Sequence, residues 1–203
     1  MEKATRQHTK THNSRLVLRT IYRQSNISRA DIARATGLSR PTVSRIVEDL
    51  MSDRLIDETG RGPSAGGKRP TLLNISSEEH LILALDLGSS EFRGALVTLQ
   101  GDIGRRLNLR VSGHQGQQAL NLVHELISTL IAKANAPLLG IGVGTPGLTN
   151  PHEGIIRKAV NLGWSDCPLG PILADSYQLP IYLANDSSLA ALGEYTFGAA
   201  NGQ

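Results

Sequence analysis

The stretch Ser28–Leu50, SRADIARATGLSRPTVSRIVEDL, constrains the fold more than any other part of the chain. It reads as two short helices joined at a glycine. Ser28 suits the N-cap of the first, and Ile32, Ala33 and Ala35 supply its apolar face. Gly37 ends it, because glycine accepts the left-handed backbone with which many helices stop. Leu38 is placed to plug the space between the helices. Ser39 suits the second N-cap and Pro41 the first turn that follows. Val43, Ile46, Val47 and Leu50 then recur at helical spacing and predict a buried stripe. The opposite face carries Pro41, Thr42, Ser44, Arg45 and Glu48. Short hydroxyls and an arginine near a helix N-terminus fit the major groove of DNA. Ser39, Arg40, Thr42, Ser44 and Arg45 are therefore the expected contacts with bases or phosphates.

An ordinary helical hairpin would show the same spacing, so the flanks decide. Asn13–Gln24 reads as a preceding helix with Leu16, Val17, Thr20 and Ile21 on one face, and residues 1–12 read as disordered. Leu55–Glu58 and Thr71–Ile75 read as short strands around Thr59–Pro70, a loop rich in glycine and cations. Three helices, then strand, loop and strand, is the order of a winged helix. Arg61, Lys68 and Arg69 in the wing are expected to reach phosphates or the minor groove. A flexible linker is the bland alternative for this loop. Charge favours the wing. Residues 1–75 hold 14 Lys and Arg against 7 Asp and Glu, a net +7, whereas the remainder holds 7 against 11, a net −4.

Hydrophobic residues make up 39% of the chain, enough for a core, and Leu, Ile, Val and Ala build it. No apolar run is long enough for a transmembrane helix, and the polar, basic N-terminus lacks the apolar segment of a signal peptide. Cys167 stands alone, which excludes an internal disulfide. These features point to the cytoplasm. The histidines at 8, 12, 80, 114, 124 and 152 are scattered, so no metal site is expected and each histidine reads as incidental. Cys167 reads as a neutral thiol and Trp164 as a packing residue.

Residues 76–203 read as an α/β layer of mixed strand direction. Leu81–Leu87 is apolar apart from Asp86 and suits a strand buried on both faces. Phe92–Leu99 and Gly101–Val111 follow as strands around a turn. Gln117–Ala134 is an amphipathic helix, with Leu120, Val123, Leu126, Ile127, Leu130 and Ile131 on one face. Leu138–Val143 is a strand, Ile155–Val160 a hairpin arm, Cys167–Gln178 a helix, Pro180–Ala184 a strand and Asp186–Phe197 a helix. Three loops after strands carry chemistry: Asp86–Ser90, the glycine-rich Gly140–Gly147, and Asn185-Asp186. An acid, a glycine and a hydroxyl at Asp86, Gly88 and Ser90 suit a metal–phosphate pair or a sugar. Asn185 and Asp186 suit vicinal hydroxyls, and Asp186 equally suits a helix N-cap.

In this order the segments resemble the ROK family of repressors, open reading frames and sugar kinases. GIGVGTPGLTNPHEGIIRKAVNLGW (140–164) and LANDSSLAALGEYTFGAA (183–200) carry the likeness, and Ser39–Ser44 with the Gly-Gly-Lys-Arg-Pro wing end matches its repressor branch. The resemblance spans residues 13–203. It implies a winged helix-turn-helix over 13–75 joined to the first lobe of an actin-like, sugar-kinase-like fold over 76–203. The family's second lobe, with its second phosphate motif, Glu-x-Gly-His motif and cysteine-rich zinc motif, has no counterpart here and is expected to be absent.

The resemblance further implies that Asn185 and Asp186 bind sugar hydroxyls. In the kinases that aspartate is the general base. Asp86, Gly88 and Ser90 match the first phosphate motif. Ser89 replaces a common glycine there, and Glu91 a lysine, and a carboxylate beside triphosphate repels it. The loop therefore reads as vestigial, with no cofactor and no catalytic residue. The expected function is a DNA-binding repressor of carbohydrate-use genes. It would act as a homo-oligomer on a palindromic operator and answer to a sugar or sugar phosphate. The alternative is a kinase that phosphorylates a hexose with ATP. Arg54 stands where the family has a helix-ending glycine, with its side chain expected to reach DNA.

Overall fold

The computed structural model describes residues 2–63 and 69–198. The chain divides into two compact units, Met1–His80 and Leu81–Gln203.

The first unit runs α1 (Glu2–Arg23), β1 (Ile27–Ser28), α2 (Arg29–Thr36), α3 (Arg40–Ser52), β2 (Ile56–Arg61) and β3 (Thr71–Ile75). The caps form as the sequence predicts. Ser28 accepts from the Asp31 N–H to start α2, Gly37 ends it at φ 70°, and Ser39 accepts from the Thr42 N–H to start α3. Val43, Ile46, Val47 and Leu50 are buried, as are Val17, Ile21, Ile32, Ile56 and Leu73 of the same unit. Burying one such side chain is worth about 1.5–3 kcal/mol, so this stripe fixes where α3 docks. The strands form an antiparallel sheet in the order β1-β3-β2.

Three expectations need correction. Disorder over residues 1–12 is replaced, from Glu2 onward, by the start of α1. Val17 and Ile21 dock α1 in the core, extending a docked helix needs no new nucleus, and Lys10 Nζ lies 3.1 Å from Asp49 Oδ2 in an exposed pair. The second strand runs to Arg61 rather than Glu58, with a bulge between Glu58 and Gly60. The first unit also reaches past residue 75. The Ser76 N–H donates to the Leu55 carbonyl at 3.0 Å, and Arg54 Nη1 lies 3.1 Å from Glu79 Oε2.

The second unit contains β4 (Leu81–Leu87), β5 (Glu91–Thr98), β6 (Ile103–Arg110), α4 (Gln117–Ile131), β7 (Leu138–Thr145), β8 (Leu148–Asn150), β9 (Ile155–Ala159), β10 (Trp164–Cys167), α5 (Leu169–Tyr177), β11 (Ile181–Asn185) and α6 (Asp186–Phe197). Its main sheet has the order β11-β7-β4-β5-β6. β11, β7 and β4 are parallel, while β5 and β6 return antiparallel. A smaller antiparallel sheet has the order β10-β9-β8.

Helix α4 buries Ala119, Leu120, Val123, Leu126, Ile127 and Leu130 in a core shared with Leu83, Leu85, Phe92 and Leu96 of the sheet. The helix packs so closely on β5 that a Cβ at Gly94 would lie 2.5 Å from Leu130 Cδ1. β4 alternates instead of being buried on both faces. Leu81, Leu83, Leu85 and Leu87 are buried, Ile82 and Ala84 half-buried, and Asp86 exposed. The hairpin arm at residues 155–160 is the middle strand β9 of the small sheet. The helix expected from Cys167 starts at Leu169, because Trp164–Cys167 pairs with β9 and Pro168 intervenes.

Candidate functional site

The outer face of α3 begins at Ser39. Its Oγ lies 2.8 Å from Thr42 Oγ1 and accepts from the Thr42 N–H at 3.3 Å. Ser39, Arg40 and Arg45 are exposed, and Thr42 and Ser44 are half-buried. The five residues expected to meet DNA thus lie on or beside one exposed helix face, above the buried stripe. Neither Arg40 nor Arg45 has an ion-pair partner among the described residues. Four other cations of this unit are paired: Lys10 with Asp49, Arg29 with Glu58, Arg34 with Asp31, and Arg54 with Glu79. Asp31, bonded first to Ser28 and then to Arg34, is held below the usual carboxylate range.

Arg61 ends β2, Arg69 precedes β3, and both are exposed. The Gly62 N–H donates to the Pro70 carbonyl at 2.8 Å, closing the base of the wing around them. Lys68 lies outside the described residues. Arg54 adopts the left-handed backbone at φ 55°, as its position demands. Its guanidinium bonds Glu79 in an exposed pair.

In the second unit, β4, β7 and β11 bring three loops to their carboxyl ends, the usual ligand-facing edge of parallel strands. Asp86 pairs in register with Gly144, and Asn185 with Thr145. Asp86, Gly144, Asp186, Ser187 and Leu189 line one open depression. Asp186 and Asp86 therefore face the same space. Gly88 and Ser90 belong to the β4–β5 turn. A Cβ at Gly88 would lie 2.8 Å from the Glu91 carbonyl oxygen, so the turn itself requires this glycine.

Sequence reasoning missed the residue that answers Asp86. Arg93 pairs with it across β4–β5, its Nη1 3.6 Å from Asp86 Oδ2 and its Nε 2.9 Å from Glu91 Oε1. The bond to Glu91, then the charges of Glu91 and Asp86, raise the Arg93 pKa. Glu91 is thus partly neutralised by Arg93. Strand parity, which places Asp86 opposite Arg93, was the available signal.

Asn185 rather than Asp186 caps α6. Its side chain accepts from the Ser188 N–H at 3.2 Å, and its Nδ2 donates to the Gly147 carbonyl at 3.0 Å. Asp186 instead accepts from the Ser187 N–H at 2.7 Å. Both polar ends of Asn185 hold loops together.

Two histidines have defined places. His124 Nδ1 lies 2.9 Å from the Tyr177 hydroxyl, joining α4 to α5, and His114 Nδ1 lies 2.6 Å from the Val111 carbonyl. Trp164 is buried and donates to the Gly116 carbonyl at 3.0 Å. Burial raises the Cys167 thiol pKa. No cluster of three metal-ligating side chains occurs among the described residues.

Residues 82–203 match the ROK family model, and residues 10–57 match the model for winged helix-turn-helix DNA-binding. The xylose repressor of Caldicellulosiruptor bescii is 34% identical over 92% of this chain and 48% of its own length. The xylose repressor of Bacillus subtilis is 31% identical over 98% of this chain and 53% of its own. The chain thus spans about half the length of these curated relatives. The crystal structure of a ROK family transcriptional regulator, homologous to the E. coli MLC protein, superposes with a TM-score of 0.80. At 24% identity, over 94% of this chain and 49% of that one, it shows a common fold.

Proposed function

The chain belongs to the ROK family, and we propose that it is a DNA-binding repressor of carbohydrate-use genes rather than an enzyme. One observation carries this reading. The winged unit pairs Arg29 and Arg54 with carboxylates, yet leaves Arg40 and Arg45 on α3 and the exposed Arg61 and Arg69 at the wing without an ion-pair partner among the described residues. Phosphates and base edges are the partners that such a set fits. Ser39, Thr42 and Ser44 would add hydroxyl contacts in the groove, and Lys68 would extend the wing. A homo-oligomer would match the two halves of a palindromic operator. The site of action would be the cytoplasm. Among the described residues no helix is long and apolar enough to cross a membrane.

The effector is a sugar or sugar phosphate. Xylose leads because the relatives are named xylose repressors. It would meet the depression that Asp86 and Asp186 share, with Asn185 holding the loop in place. Phosphoryl transfer is disfavoured there. Arg93 engages Asp86, the acid that a metal–phosphate pair would need free, and Glu91 leaves no cation at the lysine position of the loop.

The test is selection of bound duplexes from a random pool, followed by fluorescence anisotropy of the selected site against an unrelated duplex. Arg45→Ala should weaken the selected site by about 1–3 kcal/mol and relax one base preference. Binding without sequence preference would overturn the repressor reading. ATP turnover with xylose or glucose that vanishes in Asp186→Asn would establish the kinase instead.

A further inference from the structure

Helix α1 carries a second group of unpaired cations, which the winged-helix motif does not account for. From Lys3 to Ala30 the sequence contains not one carboxylate. The inward side of α1 buries Val17 and Ile21, and Lys10 on the flank pairs with Asp49 of α3. The outward side exposes His8, Thr11, His12, Arg15, Arg19 and Arg23, and the first four line one open depression. None of these three arginines has an ion-pair partner among the described residues.

Arg15, Arg19 and Arg23 follow one another at four-residue spacing, as do His8 and His12, so each stands above the next on the helix surface. The three arginine charges stacked this way repel one another, and an external polyanion relieves the repulsion. We propose that this outward face of α1 binds the phosphate backbone of duplex DNA, beside the contacts of α3 and the wing. The inference rests on the DNA-binding reading above.

Three features favour a duplex. The face extends about 22 Å from His8 to Arg23 at the helical rise, long enough to follow several successive phosphates. It presents arginine, histidine, a threonine hydroxyl and the exposed Tyr22, whose hydroxyl is also a phosphate-binding group. Val17 and Ile21, buried in the same unit as the α3 stripe, also fasten α1, so α1 is carried with the helix that enters the groove. Cations spaced in this way neutralise phosphates without reading bases. The contact should therefore add affinity and salt dependence on any sequence.

The experiment uses the whole chain with Arg15→Gln/Arg19→Gln, and Arg15→Lys/Arg19→Lys as the charge-preserving control. Anisotropy is measured over a range of salt on the selected duplex and on an unrelated one. Loss of two phosphate contacts should weaken both duplexes about tenfold and make the log K against log salt plot shallower by about two units. The lysine variant should keep the slope. Unchanged affinity and slope in the glutamine variant overturn the proposal while the repressor reading stands, leaving an acidic protein as the partner of this face. Loss confined to the selected duplex overturns it too, because phosphates carry no sequence. Failure of the unsubstituted chain to bind any duplex overturns both readings together.

Discussion

Ser39 and Thr42 share a hydroxyl pair at the start of α3, with the oxygens 2.8 Å apart, and the Ser39 oxygen also takes the Thr42 N–H at 3.3 Å. The N-cap and the proposed DNA-facing hydroxyls are therefore the same atoms. Ser39→Ala should cost about 1 kcal/mol in a urea titration and weaken duplex binding as well. Ser39→Asp separates the two roles. A carboxylate caps a helix as well as a hydroxyl and gains from the helix dipole, so stability should hold. Its charge would face phosphates, so duplex binding should still fall. An aspartate variant that binds DNA like the parent would remove the α3 N-terminus from the interface.

Arg54 tests a position where the resemblance and the structure disagree about a side chain. Its left-handed backbone, φ 55°, costs a non-glycine residue roughly 1 kcal/mol, and its ion pair with Glu79 is exposed and worth little. Arg54→Gly should therefore be neutral or stabilising by up to about 1 kcal/mol in chemical denaturation. Duplex affinity should stay unchanged, because the guanidinium is turned to Glu79. A weakened duplex complex with a shallower salt slope would return Arg54 to the interface.

The elements legible in the sequence are those whose signal lies within a few residues. Ser28, Gly37 and Ser39 announce their caps, and the α3 and α4 stripes announce their buried faces. The elements missed depend on distant partners. β1 is two residues long and exists because Ile27 and Ser28 pair with Leu73 and Leu72. The polar start of α1 has no apolar periodicity and extends a helix anchored farther along by the buried Val17 and Ile21. In the second unit, the choice of Asn185 over Asp186 as the cap follows from its second bond, to the Gly147 carbonyl. Arg93, in β5, meets Asp86 only through strand register, which depends on how two strands pair.

Gly147 is the position where the loops of the second unit tolerate least change. Its φ is 89°, and a Cβ there would lie 2.0 Å from the Lys158 carbonyl oxygen, a backbone atom that cannot swing aside. Its own carbonyl accepts from Asn185. Gly147→Ala should destabilise the second unit by about 3 kcal/mol or more, through strain, displacement of β9 and loss of that bond. Gly193→Ala is the control, since a Cβ there meets nothing within 4 Å and the position lies within α6. It should be neutral or slightly stabilising. Equal stability of the two variants would show that the β8–β9 sheet is not packed on this loop.

His124 and Tyr177 give the second unit a pH dependence of known sign. Burial lowers the His124 pKa below its ordinary 6.5, whereas the unfolded chain returns it to that value. The unfolded state then binds more protons as pH falls through 6.5, so stability is fully present above that point. It declines below it, and the loss levels off once the pH passes the folded value. In urea titrations between about pH 5 and 7, stability should rise with pH in the parent, and His124→Gln should flatten the rise. Tyr177→Phe tests the cause. It removes the hydroxyl that meets Nδ1 at 2.9 Å and should cost about 1 kcal/mol, but it leaves the imidazole covered. The pH slope should therefore survive in Tyr177→Phe. If it disappears there as it does in His124→Gln, the hydrogen bond rather than burial sets the charge of this histidine.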